Sequence, residues 1–160
     1  MIAHSELNGN CNITDWVQRY VRTCLRVNAF PRIDVSPKHA LDWVSVTYCA
    51  QAIVTITTKL LAKAVEVKAV HLINGSGKTD LNSIPAGSGL PIVSHAEWLE
   101  RVKALPAEEN PIVSLLGLFI EGFPSIETNW QCEAANSLLH GSVVAKPIDA
   151  VPLLRYLKRE

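Results

Sequence analysis

The chain has 160 residues, 48% of them hydrophobic and 19% charged, with 15 basic against 15 acidic side chains. That length supports one domain that buries most of its apolar surface, and the composition excludes a disordered polymer. Zero net charge gives no field to steer a polyanion, so neither nucleic acid nor membrane is an expected partner.

The longest apolar runs, such as Ile112 to Ile120, stop far short of the ~20 residues that span a bilayer. The N-terminus has no basic-then-apolar leader, so a cytoplasmic location is expected. Cys11, Cys24, Cys49 and Cys132 show no paired spacing and are read as reduced thiols, with Cys24 and Cys49 on apolar helix faces.

In chain order, a short apolar piece at Met1 to Ala3 precedes a polar loop from His4 to Cys11 that contains Asn8-Gly9-Asn10. From Asp15 to Val27, Trp16, Val17, Tyr20, Val21, Cys24 and Leu25 form a stripe at helical spacing opposite Gln18, Arg19, Arg22 and Arg26. Asn12 or Thr14 is the expected cap; Asn28 can close the helix in the left-handed conformation, and Pro31 stops it resuming. After a linker from Arg32 to Lys38, Ala40 to Val46 reads as a strand that runs without a loop into a helix from Thr47 to about Leu61. Thr47 is the expected N-cap. That helix is nearly all apolar, which predicts burial on several sides.

Val67 to Ile73 is rich in β-formers and reads as a central strand ending in the loop Asn74-Gly75-Ser76-Gly77. Gly77-Lys78-Thr79 imitates the end of a phosphate loop, but Leu72 stands where that motif requires its first glycine. Ser94-His95-Ala96-Glu97 is a capping box ahead of Trp98, Leu99 and Val102, in a helix that Pro106 ends. Asn110-Pro111 opens a second helix carrying Ile112, Leu115, Leu116, Phe119 and Ile120 to a stop at Gly122-Phe123-Pro124. Ser125 to Lys146 reads as irregular, and a last helix at about Asp149 to Leu157 ends in Lys158-Arg159.

The histidines at 4, 39, 71, 95 and 140 share no i, i+4 pairing, so no metal site is expected. No nucleophile elbow and no glycine-rich dinucleotide fingerprint follow any strand, so the chain shows no redox chemistry of its own.

Several segments occur in an order that resembles the thioester reductase family. They are Ile2-Ala3-His4-Ser5-Glu6-Leu7-Asn8-Gly9 with Asn12 and Asp15, then Asn28-Ala29-Phe30-Pro31, then Leu41-Asp42-Trp43-Val44-Ser45-Val46 running into an alanine-containing helix. Val70-His71-Leu72-Ile73-Asn74 resembles that family's next strand, and Ile92-Val93-Ser94-His95-Ala96-Glu97-Trp98 with Asn110-Pro111 resembles its C-terminal substrate-binding subdomain. The resemblance implies an α/β fold: the C-terminal half of an extended short-chain dehydrogenase/reductase (Rossmann-like) domain with a helical substrate-binding subdomain, its first Rossmann strands missing. It divides the chain into a partial Rossmann-like core at 1–93 and a helical lid subdomain at 94–160.

Members of this family close nonribosomal peptide synthetases, polyketide synthases and carboxylic acid reductases. They take an acyl group from a phosphopantetheinyl carrier protein and release it reductively with NADPH. The family's glycine-rich NADP loop and its Ser/Thr, Tyr and Lys catalytic set lie upstream of the matching segments, and Tyr20-Val21-Arg22-Thr23-Cys24 does not restore Tyr-x-x-x-Lys. The resemblance therefore implies no catalytic and no cofactor-binding residue here, with NADPH expected for the complete domain. Ser45 stands where the family usually has proline, and Thr47 where it has aspartate.

Carried over by position, His4 and Ser5 follow the strand leading to the nicotinamide side, while Asn12 and Trp16 line the substrate entrance. Read as residues alone, His4 is more often a loop histidine than a ligand, Asn12 and Asp15 are more often helix-start residues than substrate contacts, and Trp98 is lid core. Three functions stay open. The chain is half of a thioester reductase that works with an N-terminal half and an acyl carrier protein, or a stand-alone carrier- or acyl-binding module. The third is a small isomerase or cyclase of a polyketide intermediate using His4 or His71 as general base.

Overall fold

A computed structural model describes residues 4–5, 8–33, 40–41, 43–63, 69–74, 79–121, 133–146 and 148–159. The first helix, α1 (Trp16–Arg26), starts where the Asp15 carboxylate accepts from the Val17 amide at 3.0 Å. Asp15 therefore caps the helix instead of Asn12 or Thr14. Asn12 Oδ1 accepts from the Thr14 amide and hydroxyl at 3.1 and 2.7 Å, closing a separate turn just upstream. The expected stripe of Val17, Tyr20, Val21 and Cys24 is buried, and Asn28 closes the helix with a φ of 52°.

The chain then enters β1 (Phe30–Pro31), which pairs in parallel with β4 (Ile92–Val93). The amides of Phe30 and Arg32 donate to Pro91 O and Val93 O at 2.9 and 2.7 Å. Alternate amides face alternate sides of a strand, so Pro31 occupies the position whose missing N–H faces away from β4.

The expected strand 40–46 is shorter than its composition suggests. β2 (Ala40–Leu41) pairs antiparallel with β3 (Thr79–Asp80), and α2 (Val46–Lys63) begins one residue earlier than expected. Ser45 Oγ accepts from the Tyr48 amide at 3.0 Å, and Ser45 O accepts from the Cys49 amide. Ser45 is therefore the cap, because it sits three residues before the amide that needs a partner; Thr47 is already inside the first turn. Trp43 and Val44, pointing to opposite sides of the extended chain, enter two different cores.

The remaining elements are α3 (Ser83–Ala86), α4 (His95–Lys103), a short 3₁₀ turn Ala107–Glu109, a longer one Val113–Phe119, α5 (Glu133–Leu139) and α6 (Val151–Leu157). Ser94 Oγ accepts from the Glu97 amide at 3.1 Å as the capping box requires, while the Glu97 carboxylate pairs with Arg101 at 2.6 Å. Four further expectations need correction. Residues 69–74 are irregular instead of a central strand, with 64–68 and 75–78 outside the described residues. Asn74 instead donates to Trp43 O and Lys146 O at 2.8 and 3.2 Å, tying three chain segments together without a ladder.

The helix after Asn110-Pro111 is 3₁₀, because its amides close i to i+3 bonds such as Val113 to Asn110 O and Leu115 to Ile112 O. That tighter winding aligns Leu116 with the buried Phe119. α5 lies inside the segment read as irregular. Finally, α2 is buried on one side only, with Ile53, Val54 and Leu61 exposed on the other. The stop at 122–124 and Cys132 lie outside the described residues.

Two cores result. The larger joins α1, β1, α4, the longer 3₁₀ turn and α6 through Val17, Tyr20, Phe30, Trp98, Phe119 and Leu153. The smaller joins α2 and α5 through Val44, Tyr48, Cys49, Ala52, Ile56 and Leu139, and Lys59 Nζ donates to Leu138 O at 2.7 Å near the end of α5.

The N-terminal loop closes on the larger core at Gly9, whose φ is +79° and whose missing Cβ would overlap Pro152 O and lie 2.8 Å from Tyr156 Cβ. Gly89 shares the positive φ, at +75°, but a Cβ there meets nothing within 4 Å. Gly89→Ala should therefore cost only the backbone strain of about 1–2 kcal/mol, whereas Gly9→Ala should add about 1–3 kcal/mol of overpacking. Urea denaturation of both variants checks this; equal losses would show that the loop does not dock on α6.

Candidate functional site

The four residues expected by position to bind substrate, His4, Ser5, Asn12 and Trp16, sit on the loop that Gly9 anchors and on the first turn of α1. The loop is largely bonded to itself: the Gly9 amide donates to Ser5 O at 2.9 Å, the Ser5 amide to Asn10 O at 2.8 Å, and the Asn10 amide to Asn8 Oδ1 at 3.0 Å. His4 is only 1% exposed, with its ring edge-on to Trp43 at a centroid separation of 6.1 Å. Ser5 is half-buried beside it, and Asn12 is exposed. Trp16 is half-buried and tilted against Phe119 at 6.4 Å. His4 therefore faces the Trp43 end of the larger core, whereas Trp16 faces the 3₁₀ turn. Of the four, Asn12 presents its side chain most openly.

A second concavity lies between α2 and the C-terminal end of α5. It encloses about 460 Å³ and is lined by Tyr48, Asn136 and His140 together with apolar Leu139, Val143 and Ala145. That volume is within the range of small-molecule clefts, and an apolar wall with a few polar groups is the usual ligand-site chemistry. Sequence reasoning missed it because Asn136 and His140 lie in the stretch read as irregular. The available signal was the i, i+4 pair Ala135 and Leu139 behind an acidic first-turn residue, Glu133.

The buried ionisable groups serve packing. The Tyr20 phenol is held well above its ordinary range by burial, and burial likewise raises the Cys24 thiol despite contacts from Tyr20 and Trp98 that partly offset it. Cys49 is raised for the same reason. None of these is an activated nucleophile, which needs a depressed pKa. His95 Nε2 lies 2.7 Å from Phe119 O, tying α4 to the 3₁₀ turn. Among the described residues, no cluster of three His, Cys, Asp or Glu side chains could hold a metal, and no helix is long and apolar enough to cross a membrane.

An NADPH pyrophosphate needs free backbone amides at a glycine-rich turn between a strand and a helix. The strand-to-helix junction at 41–48 has no glycine, and its Tyr48 amide is already taken by Ser45. That junction does not fit the cofactor's pyrophosphate.

No family model and no curated protein matches the sequence. Solved structures do. The terminal R domain from the myxalamid PKS-NRPS biosynthetic pathway matches with a TM-score of 0.67 and 19% identity, over 99% of this chain and 41% of that one. The reductase (R) domain of a nonribosomal peptide synthetase from Mycobacterium tuberculosis matches with a TM-score of 0.73 and 20% identity, over 99% of this chain and 43% of that one. The chain thus has the fold of the C-terminal part of such R domains, and it spans less than half the length of either.

Because Tyr20 and Cys24 hold their protons more tightly folded than unfolded, their contribution to stability is complete below the ordinary thiol value of 9.0 and is lost as pH rises above it. The unfolding free energy should therefore fall steeply above that pH, and Tyr20→Phe and Cys24→Ala should each flatten the slope. Unchanged slopes in urea titrations at successive alkaline pH values would contradict the assignment. In the native protein near neutral pH, alkylation by iodoacetamide should reach the half-buried Cys11 before Cys24 or Cys49, as peptide mass mapping would read directly.

Proposed function

We propose that this chain is the acyl- and phosphopantetheine-binding half of a thioester reductase domain in a cytoplasmic, secondary-metabolite pathway of the NRPS/PKS type. It acts with a nucleotide-binding half in the NADPH-dependent release of a carrier-bound thioester and is inactive alone. The observation that carries this reading is the fold match, which uses 99% of this chain but only 41–43% of two R domains. The ordered segments from Ile2 to Trp98 support the same reading.

The side chains agree with a binding half. None of the three tyrosines, Tyr20, Tyr48 and Tyr156, has a lysine four residues on, and the Tyr20 ring is enclosed by Phe30, Trp98 and Phe119. A proton donor must come within about 3 Å of the carbonyl it serves, and Tyr20 has no such access. What this chain contributes is apolar and hydrogen-bonding surface for the acyl arm: Trp16 and Asn12 at the N-terminal loop, and the cleft beneath Tyr48, Asn136 and His140. That cleft favours one second reading, a carrier- or acyl-binding module without chemistry.

Purified alone, the chain should not oxidise NADPH in the presence of thioester-loaded carrier protein. With the nucleotide-binding half of its pathway added, thioester-dependent oxidation should appear, and Trp16→Ala should reduce it at least about tenfold by removing a partly desolvated aromatic contact. Binding of loaded carrier by titration with no turnover after mixing would favour the binding module. Neither binding nor turnover would remove both readings.

A further inference from the structure

The cleft between α2 and α5 is shaped by the way α5 ends. The last helical residue, Leu139, accepts at its carbonyl oxygen from the amides of Ser142 and Val143 at 2.9 and 3.3 Å. Gly141, with a φ of +73°, makes the left-handed step that this closure requires. The chain then turns back, so that Val143 and Ala145 form one apolar wall opposite Leu139. Asn136 and His140, four residues apart on α5 and the turn that follows it, line the same space, and Tyr48 of α2 joins them. Residues at that separation stand about 5–6 Å apart at their Cβ atoms.

Among the described residues that line the cleft there is no Asp, Glu, Lys or Arg. Lys59 is engaged elsewhere, donating to Leu138 O and Ser142 Oγ at 2.7 and 3.3 Å. A carboxylate or phosphate entering the cleft would leave water for an apolar wall with no fixed cation to receive it. A plain alkyl chain fails on the opposite ground, because it would strip water from the exposed Asn136 and His140 side chains and return no hydrogen bond. A carboxamide and an imidazole can each donate and accept. An amide in the ligand carries its N–H and C=O on opposite edges and so can bridge two such groups one helical turn apart, whereas a hydroxyl offers a single atom.

We propose that this cleft selects a neutral, amide-bearing acyl chain: Asn136 and His140 bridge the amide beside Tyr48, and the flanking hydrocarbon lies against Leu139, Val143 and Ala145. This rests on the acyl-binding role proposed above and names the class of acyl group that the site prefers.

The test titrates the full chain calorimetrically with S-methyl thioesters of acyl chains matched in length: a plain alkyl chain, one with an internal amide and one ending in a carboxylate. The amide chain should bind at least about tenfold more tightly than either of the others. Asn136→Leu and His140→Leu, both at exposed positions, should each cut that preference to about twofold or less while leaving the melting temperature unchanged. Equal or tighter binding of the alkyl or carboxylate chain, a preference retained in both variants, or no binding of any chain would each overturn the proposal. When the nucleotide-binding half is added, carrier protein loaded with the amide chain should show the lower KM for thioester-dependent NADPH oxidation. Oxidation with equal KM for amide and alkyl chains would overturn the amide site and leave the proposed function standing. Tight, Asn136-dependent binding of the amide chain with no oxidation after mixing would uphold the site and remove the reductase reading.

Discussion

Tyr20 sits where four chain segments meet. Its ring stacks on Phe119 at 6.0 Å and 6°, meets Trp98 at 5.9 Å and stands edge-on to Phe30 at 6.1 Å. These contacts join α1, β1, α4 and the longer 3₁₀ turn across nearly a hundred residues of sequence. Aromatic pairs in such geometries add about 0.5–1.5 kcal/mol each beyond the burial of their surface, so the larger core is most sensitive here. The same packing determines what these side chains can do. It holds the Tyr20 phenol and the Cys24 thiol in their neutral forms, and through Phe119 it positions Trp16 at the N-terminal loop. A tyrosine committed to holding the core is withdrawn from proton transfer.

The second constraint is the division of the extended segment before α2. Trp43 enters the larger core and Val44 the smaller, while Asn74 clamps the Trp43 and Lys146 carbonyls so that the segment keeps this alternation. The Asn74 side chain thereby helps attach the α2–α5 pair to the body. The open side of α2 carries the exposed Ile53, Val54 and Leu61. The cleft at Tyr48 is a consequence of that arrangement, since α5 covers only part of α2 and the loop after it leaves a gap.

Much of the local fold around the candidate site was legible from residues. The stripe of α1, the left-handed closure at Asn28, the Ser94 cap and the break before Pro106 all rest on contacts within four residues, which spacing reveals. The errors share a cause as well. Asp15 and Ser45 displaced neighbouring polar residues as caps by a shift of one to three positions, because several adjacent side chains can cap and only the backbone path selects among them. Residues 69–74 have strand composition but no adjacent strand among the described residues, and β-propensity expresses packing against neighbours more than a backbone preference. Asn136 and His140 were missed because α5 is seven residues long, too short for periodicity to stand out.

The amino-acid sequence by itself determined which residues are apolar, where α1, α2, α4 and α6 begin and end to within a few positions, the order of segments that resembles a thioester reductase, and the absence of any Tyr-x-x-x-Lys pair. Those properties are local or compositional. Only the tertiary structure decided which rings enclose Tyr20, that His4 lies beneath Trp43, and that α2 buries one apolar face and presents the other. The reason is physical: a hydrophobic pattern records that a side chain must leave water, whereas the surface that receives it is assembled from residues far away in sequence.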